Sequence, residues 1–260
     1  MSTSESNPWS DAGVSEAIGF LLIFTIIITG IALVTLYGYP VLLQQQSNAN
    51  EQVMEKNMIV LQNDLKSLSY SMVPYSETSL SIGGGTLFVY NASYSSTPAM
   101  FNVECNNNPL IIPYSTGKIE YESVDAQTNI ALENGAVVTR MTTVSGSTML
   151  AEPRWFYDGP TNTAALYLIS FNTTSTLSRA GVGTVSMERG ISNYSAIQIQ
   201  QGETCTVSYT PDPTSDYSVA WNNYFANDMG LTELSPGKYL LLTGPGQIVV
   251  YQDNIEVVSV

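Results

Sequence analysis

Residues 17–43 read AIGFLLIFTIIITGIALVTLYGYPVLL, a run of 27 residues without a charged side chain. A helix of about 20 apolar residues crosses the hydrocarbon core of a bilayer, so this segment is long enough to span a membrane once. No second apolar run of that length occurs among the 260 residues. The sequence therefore predicts a single-pass protein, with one anchor and roughly 200 residues of folded mass.

The charge composition argues against a nucleic-acid partner. The chain has 22 acidic and 8 basic residues, a formal net charge of −14, and only 12% charged residues. Neutralising the phosphates of a nucleic acid requires clustered Lys and Arg, whereas the basic residues here are scattered singly along the sequence. The remaining polar content is Ser, Thr, Asn, Gln and 16 Tyr, a composition typical of extracellular β-domains.

The composition also removes most catalytic templates. The sequence contains no His, the commonest general base and metal ligand, and its two Cys are too few for a four-thiolate zinc site. Asp212 and Asp216 lack the spacing of a calcium-binding loop. We find no nucleophile–base pair in the sequence, so we expect no catalytic residue, cofactor, metal site or small-molecule substrate, and no enzymatic activity.

Cys105 and Cys205 are the two thiols, and both lie in β-like sequence far from the anchor. If the folded region faces an oxidising compartment, they can form one disulfide that closes a loop of about 100 residues. The alternative is that both are buried free thiols that pack as small apolar side chains. The sequence leaves these two alternatives open.

The N-terminal region divides into a polar block and a long helix. Residues 1–13 are polar, and the helical pattern begins at Val14, with Glu16 near a helix N-terminus, where the macrodipole favours an acid. This block lacks the basic n-region of an ordinary secretory signal. We therefore expect a leader at 1–13, a transmembrane and stalk helix at 14–73, and a β-rich domain at 74–260.

The helix is expected to be interrupted near Gly38 and Pro40, because proline removes a helical hydrogen bond and crowds the preceding turn. Beyond the interruption, apolar residues recur at spacings of three and four, which predicts an amphipathic helix to about Ser71. Its stripe must be buried, most economically against the domain that follows. The stripe consists of Val53, Met54, Met58, Leu61, Leu65 and Leu68.

After the helix, the pattern changes to short β-branched and aromatic runs between turn residues. This spacing predicts an α+β protein, with the long transmembrane helix followed by a mainly antiparallel, β-sandwich-like domain. Residues 73–85 are rich in turn-forming residues, and we expect Gly83-Gly84-Gly85 within them to form a turn. The expected strands are 86–90, 118–122, 136–142, 165–171, 183–188, 196–201, 205–209, 238–242, 247–251 and 255–260.

One segment in the C-terminal half has helical spacing. Between residues 214 and 230, Trp221 and other aromatic residues recur on one face, which predicts a short helix. Thr214 or Ser215 is the expected N-cap, and Gly230 the C-terminal stop. We expect the aromatic face to pack on the sheet rather than to stack on a ligand.

The junction DAGVSEAIGFLLIFTIII at residues 11–28 resembles the class III signal of archaeal type IV pilin-like proteins: a short polar leader, a glycine, and an uninterrupted apolar helix. This resemblance implies that a prepilin peptidase cuts between Gly13 and Val14 and leaves the helix on the mature protein. Ser10, Asp11 and Ala12 stand where leaders of that family normally carry Lys or Arg.

Four further segments are similar to the pattern of an uncharacterised archaeal family of membrane-anchored surface proteins with pilin-like N-termini. The resemblance spans roughly residues 13 to 230 and rests on glycine turns and strands, so it implies class and location rather than a reaction. The segments are SLSIGGGTLFVYN (79–91), ALENGAVVTR (131–140), GSTMLAEPRWF (146–156) and AGVGTVSMERG (180–190).

Two sets of site residues follow. By analogy with pilin subunits, Glu16 pairs with the free amine of Val14 during assembly; alternatively, it is an acid at the helix start, at the level of the lipid headgroups. The glycosylation sequons are Asn91-Ala-Ser, Asn172-Thr-Thr and Asn193-Tyr-Ser, and such sites belong on surface loops of exported chains.

The function expected from the sequence is that of an archaeal pilin-like structural subunit of the cell surface. It is expected in the cell membrane, single-pass, with the C-terminal domain extracellular. Its expected partners are membrane lipid, other copies bound through the N-terminal helix, and prepilin peptidase if the chain is processed. The alternative is a non-assembling anchor whose ectodomain binds a surface partner or glycan, and an anchored enzyme is a third class.

Overall fold

The computed structural model describes residues 8–71, 73–93, 98–124 and 126–260. Seven residues of the expected leader, 1–7, lie outside the described residues. Contacts divide the chain between Asn48 and Ala49 into an N-terminal unit and a larger unit that ends at Val260. The two units are described separately below.

The N-terminal helix begins earlier than its sequence pattern indicates. Helix α1 spans Pro8–Leu33, so it starts six residues before Val14. Proline is well suited to the first helical position, because its φ angle is already helical and its missing N–H needs no partner there. The expected helix start at Val14 is therefore wrong.

A π-helical turn, Val34–Gly38, follows α1 and leads into helix α2, Tyr39–Tyr70. The backbone N–H of Tyr39 donates to the carbonyl of Val34, five residues back. Such a turn widens the helix immediately before Pro40, whose ring would crowd a regular helical turn. The helix is thus irregular where the sequence predicts an interruption.

The part of α2 that belongs to the larger unit buries its apolar stripe as expected. The side chains of Met54, Met58, Leu61, Leu65 and Leu68 are fully buried and pack with residues of the large sheet. Val53 was also expected in the stripe, but it is exposed. Adjacent helical residues point about 100° apart, and Met54 is the one of this pair that faces the sheet.

Fourteen strands among the described residues form two sheets. The large sheet has nine strands in the order β7-β6-β5-β4-β1-β10-β14-β9-β8, and the small sheet has five in the order β12-β13-β11-β2-β3. The strands are β1 Tyr75–Tyr90, β2 Met100–Cys105, β3 Asn108–Ser115, β4 Lys118–Ser123, β5 Thr128–Glu133, β6 Ala136–Met141, β7 Ser147–Ala151, β8 Phe156–Asp158, β9 Thr163–Asn172, β10 Leu177–Ile199, β11 Thr204–Thr210, β12 Thr232–Ser235, β13 Lys238–Thr243 and β14 Gly246–Ser259.

Two hydrophobic cores lie on opposite faces of the large sheet. One core joins it to the small sheet and to the short helix, and includes Phe101, Leu166 and Trp221. The other joins it to α2, and includes Leu65 and Phe171. The larger unit is therefore layered, with the helix on one side of the large sheet and the small sheet on the other. Except for β9 and β14, which pair in parallel, the strand pairs are antiparallel, so the expected α+β, sandwich-like fold is confirmed.

The three consecutive glycines lie within strand β1, so the turn expected at Gly83-Gly84-Gly85 is wrong. The strand register shifts between Ile82 and Leu87, and Gly84 has a φ of +67°. A Cβ on Gly85 would lie 2.3 Å from the carbonyl oxygen of Glu122, so a side chain does not fit. The glycines therefore form a bulge that lets the neighbouring strand approach closely.

The short helix is confirmed, but its N-cap is not. Helix α3 spans Ser218–Asn223 and continues as a π-helical turn, Tyr224–Asp228. Neither Thr214 nor Ser215 caps it; the N-cap residue is Tyr217, without a side-chain bond, and the Ser215 hydroxyl donates to a buried carboxylate instead. Gly230 follows with a φ of +64°, as expected of a helix stop.

Candidate functional site

The apolar part of the N-terminal helix is open on all sides. Its large apolar side chains between Ile18 and Leu43 are 48–72% exposed. Among the described residues, this is the one helix long and apolar enough to cross a membrane, with a mean hydropathy of 2.8 in its most apolar window. A helix that is apolar on every face is suited to a lipid surrounding, which is compatible with a single-pass membrane anchor.

Two of the three threonine hydroxyls within residues 17–43 donate to carbonyls of the same helix. Thr25 Oγ1 donates to the carbonyl of Leu21 at 2.7 Å, and Thr35 Oγ1 donates to that of Ile31 at 2.9 Å. An unpaired hydroxyl costs several kcal/mol in hydrocarbon, so these local bonds remove a penalty for burial in lipid. Thr25 and Thr35 are therefore paired within the helix, which lowers the cost of placing them in a membrane.

The residues expected to take part in processing and assembly lie at the start of α1. The Gly13–Val14 bond lies within the helical backbone, and the Glu16 side chain is exposed two residues further on. No carboxylate–amine pair is seen at Glu16 among the described residues. The pairing expected for Glu16 therefore requires a processed N-terminus or a second copy of the chain.

The three sequons differ in how their asparagines are held. The Asn91 amide donates to the carbonyl of Thr173 at 2.6 Å, and the Asn172 amide donates to Oδ1 of Asn254. Asn193 is exposed on β10, and its side chain makes no hydrogen bond with the described residues. Asn193 is therefore the sequon residue whose amide is most open to modification.

The two cysteines meet at directly paired positions of neighbouring strands. Cys105 ends β2 and Cys205 lies in β11, and their sulfurs are bonded. The bond joins chain positions 100 residues apart, so it removes a large part of the freedom of the unfolded chain.

A cluster of buried charges lies between the two sheets. On β4, Lys118 Nζ is 2.9 Å from Oε2 of Glu120, and both side chains are buried. Glu120 also accepts hydrogen bonds from Tyr217 at 2.6 Å, from Ser215 at 2.9 Å and from Asn129 at 3.2 Å. The carboxylate therefore has a full set of donors, as a buried charge requires.

Glu133, on the adjacent strand β5, is the second buried carboxyl group of this cluster. It accepts hydrogen bonds from Tyr209 at 3.1 Å and from Trp221 Nε1 at 3.3 Å. Burial raises the pKa of Glu133 to about 7, against the opposing effects of the Lys118 charge and of these two donors; the Glu120 charge adds to the rise. The pKa of Glu133 is therefore close to neutral pH.

At the edge of the cluster, Asp212 lies 3.4 Å from Lys118. Burial acts to raise the pKa of Asp212, but hydrogen bonds from Thr214 and the Lys118 charge outweigh it and lower the pKa. Asp216, the other acid considered for calcium, accepts a hydrogen bond from the backbone N–H of Ser218. Within the described part of the chain, no three metal-ligating side chains converge.

The buried cluster is enclosed and has little room for a ligand. The cavity that adjoins Lys118, Glu133 and Asp212 has a volume of about 10 Å³, the size that one water molecule needs. We therefore assign the cluster to holding the two sheets together.

Comparison with known proteins gives one match. Neither the curated proteins nor the solved structures contain one that matches the chain. A family model described as "Family of unknown function (DUF7289)" matches residues 13–253, from the glycine before the apolar helix almost to the C-terminus. The chain belongs to this family, DUF7289, whose function is unknown.

Proposed function

We propose that the chain is a pilin-like structural subunit of the archaeal cell surface, anchored in the membrane or assembled through its N-terminal helix. The observation that carries the proposal is the apolar helix, uncharged over residues 17–43 and exposed on every face. Such a surface needs either lipid or the helices of other copies around it. The proposed partners are therefore membrane lipid and further copies of the chain.

The resemblance of residues 11–28 to a class III signal supports assembly over simple anchoring. In that reading, prepilin peptidase removes residues 1–13, and Val14 becomes the new N-terminus. The exposed carboxylate of Glu16 would then lie two residues from a free amine and could pair with the amine of a neighbouring copy. In a low-dielectric surrounding such a charge pair is strongly favoured over an isolated carboxylate.

The β-domain is proposed to lie outside the cell. The bonded pair Cys105–Cys205 supports this placement, because disulfides persist in oxidising compartments. The exposed sequon at Asn193 also fits an exported chain, and the chain is then a glycoprotein. The domain would contact the surroundings of the cell while the helix provides attachment.

A second candidate is a non-assembling anchor whose ectodomain binds a surface partner or glycan. Two observations favour it: helix α1 runs from Pro8 through the Gly13–Val14 bond, and Ser10, Asp11 and Ala12 replace the basic residues usual in pilin-like leaders. In this case residues 1–13 are retained. The anchor is then permanent, and the work of the protein lies in its β-domain.

The test compares Glu16→Ala with a matched control, Glu256→Ala, which changes an exposed acid of the β-domain. Both variants are expressed in the native host, and two properties are measured: resistance to carbonate extraction from membranes, and recovery of cross-linked or sheared oligomers. We expect Glu16→Ala to stay in the membrane and to lose the oligomers, while the control keeps both.

Retention of oligomers by Glu16→Ala would overturn the role of Glu16. Absence of oligomers in the native chain would favour the non-assembling anchor. Release of the native chain by carbonate would contradict the membrane anchor itself.

A further inference from the structure

A row of tyrosines crosses three neighbouring strands of the large sheet. Tyr194 on β10 is paired with Tyr251 on β14, which is paired with Tyr167 on β9. The Tyr167 and Tyr251 rings are stacked with centroids 4.4 Å apart, and those of Tyr194 and Tyr251 are 4.9 Å apart. Tyr70, the last residue of α2, meets Tyr167 edge-on at 5.0 Å.

These four rings line an open cleft with a volume of about 350 Å³, which we call the tyrosine cleft. Side chains along β14 point alternately to the two faces of the sheet. Asp253, Ile255 and Val257 point to the face against which α2 packs, and Tyr251 is in step with them. Tyr251 therefore lies on the same face as α2. Helix α2 ends at Tyr70, and the sheet continues beyond it. The cleft is therefore a part of this sheet face that the helix leaves uncovered.

Arg154 provides the cleft with unused hydrogen-bond donors. Its guanidinium carbon lies 4.5 Å from the ring centroid of Tyr70 and 5.2 Å from that of Tyr167. Among the described residues it has no ion-pair or hydrogen-bond partner. A guanidinium is planar, and its N–H groups form a fork that matches the two oxygens of a carboxylate.

Two further groups add polar contacts at the cleft. Arg189 is 3.3 Å from Asp253 and donates to Ser192, so this arginine is already paired. Ser69 is 6% exposed, and its buried hydroxyl has no partner within the described part of the chain. The cleft thus combines aromatic rings with the unused donors of Arg154 and with a buried, unpaired hydroxyl in its wall, a mixture of apolar and polar groups that is typical of ligand sites.

We propose that the tyrosine cleft binds a carboxylate-bearing saccharide. The 61% exposed ring of Tyr194 offers an apolar face for the C–H groups of a pyranose ring, and the stacked pair of Tyr167 and Tyr251 lines the cleft beside it. Arg154 binds the carboxylate, and Asp253 and Ser192 are the nearby groups for sugar hydroxyls. The volume of the cleft is at the lower end for ligand sites, which suits one or two sugar rings.

The charges of the cleft argue against a cationic ligand. A tyrosine cage can hold an ammonium group, but here two arginines face one aspartate, and Arg154 already occupies the faces of two rings. The arginines leave the cleft with one positive charge in a chain of net charge −14. The cleft is therefore locally selective for an anion.

This inference does not depend on assembly through the N-terminal helix. The saccharide has two sources: a glycan of the cell surroundings, or a glycan carried by Asn193, which also lines the cleft. Both sources have the same chemistry at the site. The test below separates them.

The first arm uses the full chain, produced without N-glycosylation and held in detergent micelles. The probes are methyl β-D-glucuronide and methyl β-D-glucoside, which differ in the carboxylate at C6. Titrations are followed by saturation-transfer NMR. We expect the glucuronide to bind about tenfold or more tightly, since a charge-assisted hydrogen bond distinguishes the two.

Three variants assign the binding to the cleft. Arg154→Gln should remove the preference for the glucuronide and keep weak glucoside binding. Tyr251→Ala should lose both probes, whereas Tyr251→Phe, which keeps the ring, should retain both. Tyr75→Ala, at an exposed tyrosine outside the cleft, is the matched control and should bind as the native chain does.

The second arm identifies the source of the saccharide with native protein and its Asn193→Gln variant. If Asn193 carries the occupant, glucuronide binding is absent in native protein and appears in the variant. If the occupant is external, both forms bind the probe equally. Binding of neither probe to the unglycosylated chain, or equal binding of both with no effect of Arg154→Gln, would overturn the proposal. Loss of self-association in Tyr251→Ala without any saccharide binding would instead identify the cleft as an interface between copies.

Discussion

Lys118 and Glu120 lie two positions apart on β4 and form an ion pair of 2.9 Å, with side chains 4% and 0% exposed. Alternate residues of a strand point to the same face, so both side chains enter the space between the sheets. Glu120 also accepts hydrogen bonds from Ser215 and Tyr217, which lie almost 100 positions later in the chain. The pair therefore ties two distant parts of the sequence together.

We expect Glu120→Gln to destabilise the fold by about 3–5 kcal/mol, because it removes the closest counter-charge of the buried Lys118 and leaves it with the more distant Asp212 and with Glu133, whose pKa is raised. Glu104→Gln is the matched control, since the pair of Glu104 with Lys238 is 31–35% exposed and should contribute less than about 1 kcal/mol. Urea unfolding of the full chain in micelles measures both. Equal effects of the two variants would contradict the structural role of the buried pair.

Glu133 should make the stability depend on pH. Its pKa is raised from 4.5 to about 7 in the folded state, so the folded chain binds this proton more tightly than the unfolded chain does. The contribution of Glu133 to the free energy of unfolding therefore falls as the pH rises from 4.5 to about 7, by an amount on the order of 3 kcal/mol.

Glu133→Gln cannot ionise, so it should gain stability over the native chain at pH 8 and not at pH 4. Urea midpoints at both pH values test this, with the exposed Glu256→Gln as the control. A gain of the same size at both pH values would show that the charge of Glu133 is not the cause.

The stripe of α2 should contribute strongly to the stability of the larger unit. Leu65 is fully buried, and Leu65→Ala should cost about 2–5 kcal/mol through the lost burial and the cavity it leaves. Val60→Ala, at a half-exposed position of the same helix, should change stability by no more than about 0.5 kcal/mol. If denaturant unfolding gave similar values for both, α2 would not be docked as described.

The close approach at the glycine bulge predicts a sharp difference between two glycines. Gly85→Ala places a Cβ 2.3 Å from the Glu122 carbonyl oxygen and should cost about 3 kcal/mol. Gly159→Ala, where the nearest atom is 3.9 Å away, should be neutral within about 0.5 kcal/mol. A tolerated alanine at Gly85 would mean that β1 and β4 are farther apart than the structure has them.

The parts of the fold that depend on local pattern were predictable. The apolar run and the stripe from Met54 to Leu68 have helical spacing in the sequence, and the short helix around Trp221 does as well. Strand β5 was missed because it is buried at every position and shows no alternation. Strand β10 was predicted as two strands, although it continues through an irregular register near Gly190.

The candidate sites depend on contacts between distant residues, which a single sequence does not reveal. The partners of Glu133 lie 76 and 88 positions away, so neither its burial nor its raised pKa has a local signal. The tyrosine cleft likewise combines Tyr70, Tyr167, Tyr194 and Tyr251 from four elements. The abundance of tyrosine was visible, but its arrangement required the register of β9, β10 and β14.

The most direct test of the proposed function is the N-terminus of the protein purified from its own membranes. Intact-mass and N-terminal analysis should find a chain that begins at Val14, as processing between Gly13 and Val14 requires. A chain that retains residues 1–13 would contradict processing and assembly as a pilin-like subunit.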